Sequence, residues 1–100
     1  MQNHRLKISE KASDKLQDQV KWYVENAGVS FAQTLLTEFW KDVGCLCAMP
    51  TIGRKTNIPG KHEIRVFVSN KKCLIKYWYN TRSLYVVDIV FTDTHSPRFF

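Results

Sequence analysis

The sequence predicts an α+β fold: one strand, a hairpin of two helices, then three strands in an antiparallel meander. Three observations carry this. Two apolar stripes at helical spacing occupy residues 12–27 and 32–46. A glycine, Gly28, separates them. From residue 62 the period changes to two, interrupted by the turn-forming stretches SNKK and NTRS.

The elements follow in order. HRLKIS, residues 4–9, alternates polar and apolar and forms a short strand. Ser9 then caps a helix by accepting from the free amides of its first turn. The stripe of that helix is Ala12, Leu16, Val20, Tyr23, Val24 and Ala27. Gly28 ends it, because glycine tolerates the left-handed geometry beyond a helix terminus. SFAQ, residues 30–33, has the form of a capping box, with Ser30 and Gln33 satisfying each other's backbone donors. The second stripe is Ala32, Leu35, Leu36, Phe39, Val43 and Leu46, with Trp40 at its edge. So short a link makes the helices antiparallel. Pro50 bars continuation.

Residues 49–61, MPTIGRKTNIPGK, read as a loop on their prolines and glycines. Strands are expected over 62–69, 72–79 and 84–92. Asp88 breaks the apolar run of the last strand and is expected to face solvent or a cation. The helical hairpin covers one face of the sheet and leaves the other more open. Register decides which cations stand on that open face, since a slip of one residue moves them all.

A chain of 100 residues supports one domain, 1–100, around one modest core. Its 15 Lys and Arg against 9 Asp and Glu give a net charge of +6. Such an excess favours an anionic partner, either nucleic acid or an acidic protein segment. No apolar run reaches the roughly 18 residues of a membrane span. MQNHRLKISE has no apolar core of a secretion signal, so the expected location is the cytoplasm and no membrane partner is expected. Cys45, Cys47 and Cys73 are read as reduced, buried small side chains. Cys45-x-Cys47 lacks the C-x2-C spacing and second pair of a zinc site, so no metal is assigned, and no cofactor.

The residues and their order resemble the RelE/ParE superfamily of toxins from type II toxin–antitoxin systems. The likeness runs through KISEKASDKLQDQVKWYVENAG, the passage MPTIGR, the central hairpin HEIRVFVSNKKCLIKYWYN and the ending VVDIVFTDTHSP. The resemblance implies the order β-α-α-β-β-β and a small toxin neutralised by a cognate antitoxin. That antitoxin would carry an extended acidic segment, in keeping with the positive charge, and the two would form a hetero-oligomer. ParE-like members block DNA gyrase; RelE-like members enter the ribosome and cut mRNA.

RNA cleavage by 2′-OH attack needs a base, cations to stabilise the developing phosphorane charge, and an acid for the leaving oxygen. By resemblance, the nuclease alternative would use Arg65 of the central strand, with Lys61, His62 or His95 in support. The tail departs from the pattern: FTDTHSP places Thr94 where relatives carry arginine, and Asp93 adds an opposing negative charge. The incomplete set leans toward a ParE-like toxin that acts by binding. Residues expected to bind partners are Arg65, Lys71, Lys72, Lys76, Trp22 and Trp40; exposed tryptophans are favoured interface anchors. Structural roles stand beside these: Arg65 pairing with Asp88 or Glu63, lysines solvated at a turn, His62 pairing with Glu63, and one ring of Tyr77, Trp78 or Tyr79 in the core. A third class is a basic interaction module without toxicity.

Overall fold

A computed structural model describes residues 4–69 and 73–91. Lys71, Lys72, Asp93, Thr94 and His95, all named above, lie outside the described residues. The elements are β1 (Arg5–Ile8), α1 (Glu10–Asn26), α2 (Val29–Ala48), a 3-10 turn (Pro50–Ile52), β2 (Arg54–Lys55), β3 (Arg65–Ser69), β4 (Cys73–Tyr79) and β5 (Ser83–Phe91). They form a five-stranded mixed sheet in the order β1-β5-β4-β3-β2. The predicted meander is β3-β4-β5, antiparallel throughout. Two features lie beyond it. β1 pairs parallel with β5, and β2, inside the predicted loop, pairs with β3.

Ser9 joins β1 to α1 as expected, its Oγ accepting from the Ala12 amide at 3.0 Å. The same hydroxyl donates to the Val87 carbonyl at 3.0 Å, fastening the helix start to β5. At the other end the amides of Ala27 and Gly28 both donate to the Tyr23 carbonyl, and Gly28 takes φ +100°. The capping box does not form. α2 begins two residues earlier than that box implies, at Val29, with Gly28 as its cap and no side-chain bond. Ser30 lies inside the first turn, where its carbonyl accepts from Thr34 Oγ1 at 3.1 Å. The backbone turn at Gly28 already directs the chain into the helix, so the side-chain device is not used.

The core joins Ala12 and Leu16 of α1, Phe39, Val43 and Leu46 of α2, and Cys73, Ile75, Tyr77, Leu84, Val86 and Ile89 of the sheet. Tyr23, Ala32 and Leu35 form a second cluster at the hairpin tip. The α1 stripe departs from expectation in its last turn: Val24 and Ala27 are exposed, and Gln19 is buried instead. α1 therefore turns a slightly different face to β5 than the apolar pattern alone gives. Cys47 and Cys73 are buried, but Cys45 is exposed, so the reading of all three as buried side chains is corrected.

A bulge between Lys76 and Tyr77 in the β4–β5 register sets the faces of β5. Strict alternation from Leu84 and Val86 would put residue 88 in the core. The extra residue, Val87, shifts the pattern so that Ile89 turns inward and Asp88 stands opposite Lys76. Among the described residues, no helix is long and apolar enough to cross a membrane.

Candidate functional site on the open sheet face

The open face is built from the residues that β3, β4 and β5 turn away from the helices, with residues 56–64 passing across it. Across it runs a row of stacked side chains. Lys7 Nζ lies over the Tyr85 ring, 5.6 Å from its centroid. Tyr85 stacks on Trp78 at 4.1 Å and 12°. Trp78 in turn stacks on His62 at 3.5 Å and 1°. β1, β5 and β4 place the first three in line, since Lys7 pairs with Tyr85 and Tyr85 with Trp78. His62 does not open a strand, as β3 starts at Arg65, and its partner is Trp78, not Glu63. Glu63 pairs with Lys55 at 3.4 Å.

Beside this row lies a cleft of about 390 Å³ between residues 58–64 and the sheet. Ile58, Ile64, Trp78 and Val87 give it apolar walls, while Lys11, Lys61 and Lys76 add cations. Asp88 lines it too, but is already held: Lys15 Nζ donates to Oδ1 at 2.9 Å and Lys11 lies 3.6 Å from Oδ2. The expectation that Asp88 faces a cation holds. Burial works to raise its pKa. The Lys15 bond, the Ile89 amide and the charges of Lys15 and Lys11 outweigh this and keep it below the usual carboxylate range.

Arg65 is placed otherwise than its sequence context suggests. It pairs with neither Asp88 nor Glu63. Its Nη1 donates to the carbonyls of Gly53 at 2.7 Å and Thr51 at 3.2 Å. Its Nε is buried without a partner among the described residues. The same turn receives Tyr77, whose hydroxyl donates to the Pro50 carbonyl at 2.6 Å and accepts from the Gly53 amide at 2.9 Å. Two side chains of neighbouring strands thus fix the passage from α2 into β2. Of the three rings considered for the core, Tyr77 is the one fully buried.

The structure therefore brings Lys61, His62 and Lys76 to one cleft and directs Arg65 to the Pro50–Gly53 turn. Trp22 and Trp40 belong to the helical layer. Trp22 is half-buried against Tyr23, with ring centroids 5.4 Å apart. Trp40 is 45% exposed and, with Leu16, Val20 and Leu36, lines an apolar groove of about 330 Å³ between the helices. Sequence reasoning missed Lys7, Lys11 and Tyr85, and it did not identify Lys15 and Lys11 as the partners of Asp88. The alternation of β1 could have flagged Lys7; its pairing with Tyr85 depends on a parallel register that no local signal encodes.

No known family profile matches the sequence, and no curated protein matches it. Among solved structures, one titled "Chromosomal ParDE TA system from P. aeruginosa" superposes with a TM-score of 0.74. The two share a ParE-like α+β fold. The match covers 90% of this chain and 97% of the other at 19% identity. This ParE-like fold accounts for the order of strand, helical hairpin and strands; roles for individual residues do not follow from it.

Proposed function

We propose that this chain is the toxin of a type II toxin–antitoxin module of the ParE kind. It acts in the cytoplasm by binding a macromolecular target, DNA gyrase, and not by cutting RNA. A cognate antitoxin neutralises it by laying an acidic segment over the open sheet face. Lys61 and Lys76 receive the carboxylates there, and Lys71 and Lys72 extend the interface. Trp22 and Trp40 anchor the partner on the helical layer, and the product is a toxin–antitoxin hetero-oligomer.

The observation that carries the binding reading is the position of Arg65. A nuclease of the RelE kind would aim this cation at the scissile phosphate. Here its Nη1 holds two backbone carbonyls of the Pro50–Gly53 turn. Releasing it would give up both bonds, of which the one to Gly53 is part-buried and the one to Thr51 is exposed and open to replacement by water. The nuclease reading keeps one supporting observation: Lys61, His62 and Lys76 share a cleft, which puts an imidazole among cations.

Expression of the chain alone, with supercoiling and mRNA integrity followed separately, tests the proposal. The expected result is inhibited supercoiling and intact mRNA, with growth restored by co-expression of a cognate antitoxin. Codon-positioned mRNA cuts that disappear in a Lys61→Ala, His62→Ala variant would establish the nuclease instead. Neither effect, with a retained acidic partner, would leave a binding module without toxicity.

A further inference from the structure

The corner where β1 meets the β4–β5 turn carries a separate feature. A recess of about 560 Å³ is lined there by His4, Arg5, Lys7, Asn80, Arg82 and Tyr85, among others. We infer that this recess binds the phosphodiester backbone of a nucleic acid. The inference rests on the β1 corner and does not use Arg65; only the continuation of the recess past Asn80 reaches Lys61 and His62 of the cleft.

Parallel pairing of β1 with β5 assembles the site. Arg5 pairs with Ser83, and its amide donates to the Arg82 carbonyl at 2.8 Å, so the two guanidinium-bearing residues are neighbours on adjoining segments. Lys7, two residues along the same face of β1, stands over Tyr85. Arg5, Lys7 and Arg82 are exposed and make no ion pair among the described residues. No acidic side chain lines the recess among the described residues.

The polarity of the lining selects the ligand. Asn80 Oδ1 accepts from the amides of Arg82 and Ser83, both at 2.8 Å. That leaves its Nδ2 as the group available to a ligand, a donor. With Arg5, Lys7 and Arg82 the recess offers mainly donors. A phosphodiester brings acceptors only, and guanidinium forks match its oxygens. An acidic peptide would also bring amide N–H groups, for which the side-chain acceptors of the lining are the hydroxyls of Thr81, Ser83 and Tyr85. Asn80 is shared with a second recess, of about 580 Å³, lined by Lys61, by Glu63, which pairs with Lys55, and by the rings of His62, Trp78 and Tyr79. The lining thus passes from the cations onto rings on which bases can stack, which suits a polymer more than a free anion.

The test is binding of the full chain to a labelled single-stranded DNA oligomer of mixed sequence, by fluorescence anisotropy over a salt series. On a single strand, each phosphate that the protein no longer neutralises flattens the log–log salt slope by about 0.7. An Arg5→Ala, Arg82→Ala variant is therefore expected to flatten the slope by about 1.4 and weaken binding about tenfold or more at moderate salt. Lys21→Ala, on α1 and outside the recess, is expected to bind as the unaltered chain does. Both arginines are exposed, so the fold should survive, and unfolding curves check this. Arg5→Glu gives a second reading of the same site if the double variant is poorly folded. Unchanged affinity in both variants overturns the proposal. So does displacement by poly-glutamate at the same charge concentration as unlabelled DNA, which would mark an acidic-protein surface, and so does displacement by pyrophosphate alone, which would mark a small-anion site.

Discussion

At Gly53 the backbone angles are ordinary, φ −75° and ψ 154°, so glycine is not needed there for conformation. It is needed for room. A Cβ would lie 2.2 Å from Tyr77 Oη and 2.7 Å from its Cε1. Gly53→Ala is expected to cost about 2–3 kcal/mol, since a packed core resists an added methyl group. Tyr77→Phe leaves the Gly53 amide and the Pro50 carbonyl without their buried partner, at about 1–3 kcal/mol. Combining the two relieves part of the clash, so the double variant should lose less than the two losses added. Denaturant midpoints of the four proteins check this; strict additivity would mean that Tyr77 and Gly53 do not interact. The passage MPTIGR is conspicuous in the sequence. Its reason, a tyrosine 24 residues later, is not.

Among the elements, β5 shows how one extra residue changes what a strand presents. Its bulge turns Asp88 out of the core and toward the lysines of α1. The folded pKa of Asp88 lies below the unfolded one. Its contribution is therefore complete above the unfolded value, about 3.9, and is lost as pH falls through the lower folded value. Lys11 is largely and Lys15 partly open to solvent, which screens the pair. Asp88→Asn is thus expected to cost about 1 kcal/mol at neutral pH. The gap to the unaltered chain should narrow from about pH 4 downward. A gap that persists into strong acid would show that the carboxylate charge is not the cause. The sequence marked Asp88 as an interruption; the bulge that makes it tolerable was illegible, because bulges are set by strand pairing.

For the molecule as a whole, the buried cysteines report on the core. Cys73 is buried in it at the start of β4, where burial, countered by the Ser69 bond and reinforced by the Asp42 charge, pushes the thiol up to about 11. Burial raises Cys47 as well. Cys45 is exposed on the far side of the same helix. A thiol reagent at neutral pH should modify Cys45 at once. Cys47 and Cys73 should react only as the protein unfolds, and together, because one packed cluster contains both. Early reaction at Cys47 alone would mean that the end of α2 opens independently of the sheet.

The order of elements, the helical hairpin, the central strands and the positive charge were all legible in the amino acids. Each is a local matter of periodicity, punctuation or composition. Three things came with folding alone: β1 beside β5, Arg65 at the Pro50–Gly53 turn, and the line from Lys7 through Tyr85 and Trp78 to His62. All three join residues far apart in the chain, and their positions follow from strand register and one bulge. Register is fixed when apolar faces are packed against the helices, so it becomes readable only in the folded molecule.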